Sequence, residues 1–185
     1  MNLVFCDIET DGLDATTIWC AVCRHNGESE VICNEKDFKD YVQRKAEATF
    51  VFHNGIGFDV PVVERLWNFT FDRSMVTDTL ILSRLADPSR SGGHSLRNWG
   101  NILGFPKGDH EDWSQLTTEM IDYCIRDVEL TEAVYKRLMV ELGGFSQESI
   151  DLEHEVQWVI QEQERTGLLL DQRLCHVLCA NLRSA

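Results

Sequence analysis

No stretch of the 185 residues approaches the roughly 20 consecutive apolar positions of a membrane-spanning helix, and the chain does not open on a signal peptide. Those two lacks give the expectation of a soluble, cytoplasmic protein. Basic residues are scarce: 17 Lys and Arg stand against 31 Asp and Glu, a formal net charge of −14. Such a balance argues against a broad cationic face that grips duplex nucleic acid. It leaves nucleic-acid chemistry open, because carboxylates that recruit divalent cations can present positive charge to phosphate. The seven cysteines include one C-x-x-C, Cys20 and Cys23, and only the distant Cys175 and Cys179 could complete a zinc site with it. Buried thiols of a reducing compartment are the plainer reading. A dinucleotide fingerprint G-x-G-x-x-G is missing too: Gly55 and Gly57 find no third glycine, and Pro61 follows. Internal repeats and low-complexity tracts are absent.

What is present begins with Phe5-Cys6-Asp7-Ile8-Glu9-Thr10-Asp11-Gly12, three carboxylates at alternate positions and then a glycine. A calcium loop has that opening, but needs a bidentate Glu at its twelfth position. Counted from Asp7 that position is Ile18, and residues 2–6 read as a strand, not an entering helix. The carboxylates therefore belong to another chemistry.

Segments 2–9, 17–25 and 29–34 are apolar and rich in strand formers, with a hairpin turn at Asn26-Gly27. Phe38, Tyr41 and Val42 then recur at helical spacing, and 49–54 reads as a fourth strand. The next helix carries Val62, Val63, Leu66 and Trp67, with Pro61 in the first turn, where its missing N–H is tolerated. Residues 75–86 read as a short extended piece running into a helix, and 91–104 as a glycine-led loop and short helix ending at Gly104. From Ser114 to Leu142 a helical face holds Ile121, Cys124 or Ile125, Val128, Val134 and Leu138. This order predicts an α/β fold with a mixed sheet faced by helices, closed at Gly143-Gly144. From Glu148 two helices, parted by residues 166–170, have apolar stripes but no evident core of their own.

Alternate side chains of a strand share a face, so Asp7 and Glu9 point the same way at a strand end. Two such oxygen donors make half of a site for a hard cation such as Mg²⁺ or Mn²⁺; an acidic strand end in solvent is the alternative. Asp59 falls in the first turn after Asn54-Gly55, where an acid also suits the helix dipole. Tyr123 and Asp127 are one helical turn apart on one face, so the phenol could orient a water beside a metal-held carboxylate. A core aromatic beside a surface acid is the other possibility. Asp122 points to another face and reads as solvated.

"DIET" with Asp7 and Glu9, "HNGIGFD" with Asp59, and "YCIRD" with Tyr123 and Asp127 together resemble the DEDD superfamily of 3′–5′ exonucleases, in its tyrosine branch. The resemblance covers roughly residues 1–142 and is nearest to the proofreading domain of family A DNA polymerases, especially those of short-tailed phages; "DTLILSRL" and "GGHSLRNWG" share it. "EQERTGLLLD" resembles the passage from exonuclease into polymerase. The resemblance implies a ribonuclease H-like five-stranded mixed sheet flanked by helices, over residues 1–145, with a C-terminal helical extension over 146–185. It implies that Asp7, Glu9 and Asp127 hold one of two divalent ions, Mg²⁺ or Mn²⁺. Asp7 would bridge to the second, and Asp59 would act there through its water shell. Tyr123 and Glu9 would orient the nucleophile, Thr10 and Leu13 would sit against the terminal nucleotide, and Asn54 and Phe58 would lie along the strand behind it. His94 falls in a loop near this site, where a packed or capping role serves as well.

The implied reaction is hydrolysis of a phosphodiester by a pair of ions about 4 Å apart, one acidifying a water and the other stabilising the departing 3′ oxygen. With the metal taking that load, a tyrosine of ordinary pKa, about 10, need only position the water. The implied partners are a single-stranded DNA 3′ end and a polymerase domain, in cis if the sequence is a piece of a longer chain or otherwise in trans. Two other readings fit the same residues: an exoribonuclease of the ribonuclease D type, and a catalytically idle domain that binds a polymerase.

Overall fold

The computed structural model describes residues 2–106 and 108–184; Met1, Lys107 and Ala185 lie outside the described residues. Leu3–Thr10 extend as the central strand β1, whose side chains alternate between two apolar layers. Val4, Cys6 and Ile8 enter one core and Phe5 enters the other, which assigns Asp7 and Glu9 to the Phe5 face. The hairpin of β2 (Ile18–His25) and β3 (Glu28–Ile32) is antiparallel, and both turn residues, Asn26 and Gly27, take positive φ. That turn geometry matches the twist of the strands it joins. Strands β4 (Thr49–Phe52) and β5 (Val76–Asp78) add in parallel on the other side of β1, giving the order β3-β2-β1-β4-β5. This is the expected five-stranded mixed sheet, and the short extended piece before residue 79 is its edge strand.

Helices α1 (Glu35–Arg44) and α2 (Asp59–Leu66) cover one face of the sheet through Phe38, Tyr41, Val60 and Val63. On the other face lie α3 (Thr79–Ala86), α4 (Leu96–Leu103) and α5 (Thr118–Glu141), which bury Leu82, Trp99, Cys124, Val128, Val134 and Leu138. Of the two candidates on α5 it is Cys124 that is fully enclosed, and Ile125 stays half-buried. The expected start of that helix at Ser114 is corrected to Thr118. Asp112 accepts from the backbone N–H and hydroxyl of Ser114, holding 112–114 in a turn, and Thr117 caps the helix by accepting from Met120 N at 3.1 Å.

The zinc reading of the cysteines fails on geometry. Cys20 and Cys23, three apart on β2, enter opposite cores and cannot share an ion. Instead Cys23 lies opposite Cys6 on β1, with the two thiols 2.9 Å apart.

Helix α6 (Gln147–Thr166) docks as far as Trp158: Ile150 and Trp158 reach the two cores, and His154 is buried against β5. The rest of α6 and all of α7 (Gln172–Arg183) leave Val159, Leu174, Val177 and Leu182 exposed. The connector residues Leu168, Leu169 and Leu170 are exposed as well. Among the described residues, no helix is long and apolar enough to cross a membrane.

Candidate active site

Strand β1 pairs with β4 only as far as Phe5↔Val51, so its second half runs on beyond the end of that neighbour. Past that point Ile8 N donates to Asp59 Oδ1 at 3.2 Å, a carboxylate buried to 4% exposure at the first position of α2. The second acid motif is thus hydrogen-bonded to the strand that carries the first. Its approach is fixed by the turn before it. Asn54 adopts the left-handed region at φ 66°, and Gly55 presses so closely on Phe52 that a Cβ would meet its side chain at 2.2 Å.

Asp78, buried at the end of β5, holds that same turn. Its carboxylate accepts from Asn54 N (2.8 Å), Ile56 N (3.1 Å) and Leu80 N (2.9 Å). Burial nevertheless raises its pKa above the usual carboxylate value, against the pull of those three hydrogen bonds. Asp78 was not singled out in the sequence, because an acid before a helix reads only as an N-cap.

Helix α5 packs across β1 and brings Tyr123 and Asp127 to the Asp7 and Glu9 face; Asp127 is 2% exposed and Glu9 5%. Between them Cys124 turns its sulfur to Asp7, 3.7 Å from both the backbone oxygen and Oδ2. Donor atoms of Asp7, Glu9 and Cys124 lie within 4.8 Å of one another. Burial, then contact with Cys20, then the neighbouring carboxylate charges push the Cys124 thiol well above its usual pKa, so it faces the acids protonated. The remaining donors are carboxylate oxygens, the set that suits a hard divalent ion.

All nine residues singled out in the sequence line one cleft of about 550 Å³: Asp7, Glu9, Thr10, Leu13, Asn54, Phe58, Asp59, Tyr123 and Asp127. Leu13 stands at its mouth with 89% of its surface in solvent. The third acid of the opening motif, Asp11, is elsewhere engaged. It accepts from Thr16 N at 2.7 Å and Thr17 N at 3.0 Å and closes the β1–β2 loop. Asp122 is exposed, as expected.

Sequence reasoning assigned no role to five other lining residues, Ile8, Gly12, His53, Leu96 and Trp113. Trp113 sits edge-on to the Tyr123 ring at 5.8 Å, His110 tilts against that ring at 6.0 Å, and a Cβ on Gly108 would meet Tyr123 Cδ2 at 3.3 Å. The segment between α4 and α5 therefore packs on the tyrosine. It is pinned from across the molecule, where Trp19 Nε1 donates to the Trp113 carbonyl at 3.0 Å. With the next helix expected to begin at Ser114, the sequence left this segment too short for its length to stand out. His53 Nδ1 meets Thr79 Oγ1 at 2.8 Å, and that hydroxyl already donates to Phe52 O. The imidazole is therefore the donor in this pair. His94, left open in the sequence, packs beside the site with Nδ1 2.9 Å from Ser83 Oγ.

No protein-family model matches the chain. Among curated proteins it is 27% identical to the DNA-directed DNA polymerase of Escherichia phage T7, over 97% of this chain and 35% of that polymerase. The chain resembles the exonuclease region of the phage DNA polymerases. A second such relative, the polymerase of Enterobacteria phage T3, is 28% identical over 75% of this chain and 28% of its own length. The chain thus spans about a third of the length of the curated proteins it matches. Solved structures agree on a ribonuclease H-like fold. Brucella melitensis NrnC with bound Mg²⁺ superposes with a TM-score of 0.71 at 19% identity, over 90% of this chain and 87% of that one. The Aedes aegypti Nibbler EXO domain gives 0.64 at 13%, over 83% and 86%. The catalytic core of Trypanosoma brucei RRP6 gives 0.62 at 14%, over 86% and 46%.

Proposed function

We propose that this chain is a divalent-metal-dependent 3′–5′ exonuclease that releases nucleoside monophosphates from single-stranded or frayed DNA 3′ ends, proofreading for a DNA polymerase in cis or in trans. The observation that carries this reading is the gathering of Asp7, Glu9, Asp59, Tyr123 and Asp127 on one cleft, from three separate elements. Asp7, Glu9, Asp59 and Asp127 would hold two Mg²⁺ or Mn²⁺ ions, which supply an acidified water and stabilise charge on the departing 3′ oxygen. Glu9 and Tyr123 orient the water; the phenol is braced by Trp113 and His110 rather than free to swing. Asp59 is kept in line by Ile8 N. Leu13 and Phe58 offer apolar surface to the terminal nucleotide, with Thr10 and Asn54 as polar neighbours. On this reading residues 1–145 carry the nuclease, and 146–185 lead toward a polymerase region.

A 5′-labelled oligodeoxynucleotide incubated with Mg²⁺ should shorten stepwise from its 3′ end, and chelation or Asp127→Asn should stop it. Shortening of RNA alone would transfer the activity to ribonucleotides. If neither polymer shortened, the exonuclease reading would be lost in favour of an interaction domain.

A further inference from the structure

A second groove, about 660 Å³, adjoins the catalytic cleft and shares His53, Asn54, Leu96 and Tyr123 with it. It differs in the charge of what it adds: Arg84, Arg97 and His94, with no carboxylate among its lining residues. In a chain of net charge −14 that concentration needs a cause. Packing does not supply one. Arg84 is exposed and forms no ion pair among the described residues. Among the described residues Arg97 has one ion pair, with Asp109 at 2.9 Å, and the two side chains are 60% and 80% exposed. Such a pair is worth little and exchanges readily for another anion. His94 is held at the groove wall, its Nδ1 2.9 Å from Ser83 Oγ, which accepts from Trp99 Nε1 at 3.1 Å.

We infer that this groove holds backbone phosphates of the DNA strand on the 5′ side of the bond to be cut, with Arg84 and Arg97 as the contacts. The inference rests on the exonuclease reading and extends it. A strand whose 3′-terminal linkage lies at Asp7 and Asp127 has no phosphate beyond its end. Any anion it presents outside the catalytic cleft therefore belongs to the 5′ continuation, and the adjoining groove is the cationic surface that can receive it. The acidic remainder of the molecule then keeps duplex off while this short track retains a single strand.

The test compares two substrates. Thymidine 5′-(p-nitrophenyl phosphate) reaches only the catalytic cleft, whereas an octathymidylate also spans the groove. The Arg84→Ala and Arg97→Ala variants should each raise KM for the octamer roughly tenfold, the worth of one charge-assisted hydrogen bond. They should lower the slope of log affinity against log salt by about 0.7 per lost contact, and leave hydrolysis of the nitrophenyl ester unchanged. Arg→Lys at either position should restore octamer KM to within about threefold, since phosphate accepts a point charge. Unchanged octamer KM and salt slope, with the ester still hydrolysed, would overturn the groove and spare the nuclease. Should neither substrate be hydrolysed, the nuclease reading falls. Fluorescence anisotropy of labelled octamer on the same variants then decides the groove by the same slopes.

Discussion

Asp7 and Glu9 place like charges on one strand face, with Asp127 enclosed beside them. Without a counter-ion such a group is held together against its own repulsion, so a divalent ion contributes to folding as well as chemistry. Saturating Mg²⁺ should accordingly raise the melting temperature, and chelation should reverse the rise. Asp7→Ala or Glu9→Ala should remove most of that shift and slow nucleotide release on the order of 10²–10³-fold. A metal-induced shift that survived both substitutions would place the ion elsewhere. Tyr123→Phe keeps the ring against Trp113 but loses the hydroxyl; kcat should fall by about 10²-fold, the scale of a misplaced reacting group, with KM little changed. At this scale the sequence was legible wherever spacing alone decides a face, as for Asp7 with Glu9 and Tyr123 with Asp127. It was silent on Asp11, which accepts from the Thr16 and Thr17 backbone and is so separated from the two other carboxylates of its motif.

Elements position the site through a few buried polar joints. Asp78 is the chief one, because three backbone donors around Asn54, Ile56 and Leu80 converge on its carboxylate. Asp78→Ala should cost about 3 kcal/mol or more, since each stranded donor costs about 1–3 kcal/mol, and should lower activity by loosening the turn that leads to Asp59. Its pKa also predicts a pH signature. Burial raises the folded-state value above the unfolded one, about 3.9. The folded state therefore holds the proton more tightly, and this contribution is fully present at low pH and lost as pH rises through the folded pKa. The stability of wild type relative to Asp78→Asn, measured by urea melts, should therefore fall as pH climbs from about 4. A flat difference would contradict it. The same element scale explains why Trp113 escaped notice. Its place depends on a hydrogen bond from Trp19, 94 positions away, which no local pattern encodes.

For the whole molecule, one buried histidine ties the C-terminal extension to the sheet. His154 Nδ1 faces Ile150 O at 2.8 Å while Nε2 accepts from Asp78 N at 2.9 Å, so α6 is bonded to the strand end that organises the site. A chain ending at residue 145 loses that acceptor and uncovers the surface under Ile150 and Trp158, together worth about 2–4 kcal/mol. It should melt roughly 5–10 °C below a chain ending at residue 166. Removing α7, which has no buried residue, should move the melting temperature by less than about 2 °C. Equal melting of the 145 and 166 forms would show that α6 is dispensable.

The amino-acid order determined the period of each element, the hairpin at Asn26-Gly27 and the faces on which the acids lie, because these follow from backbone geometry within a few residues. Tertiary structure decided which of those faces meet. β1 outruns β4 so that Asp59 can take the Ile8 amide, α5 crosses β1 to bring Asp127 to Asp7, and Cys20 and Cys23 part to opposite cores. Those outcomes depend on contacts between residues far apart in the chain, where burial and hydrogen bonding act and local propensity does not reach.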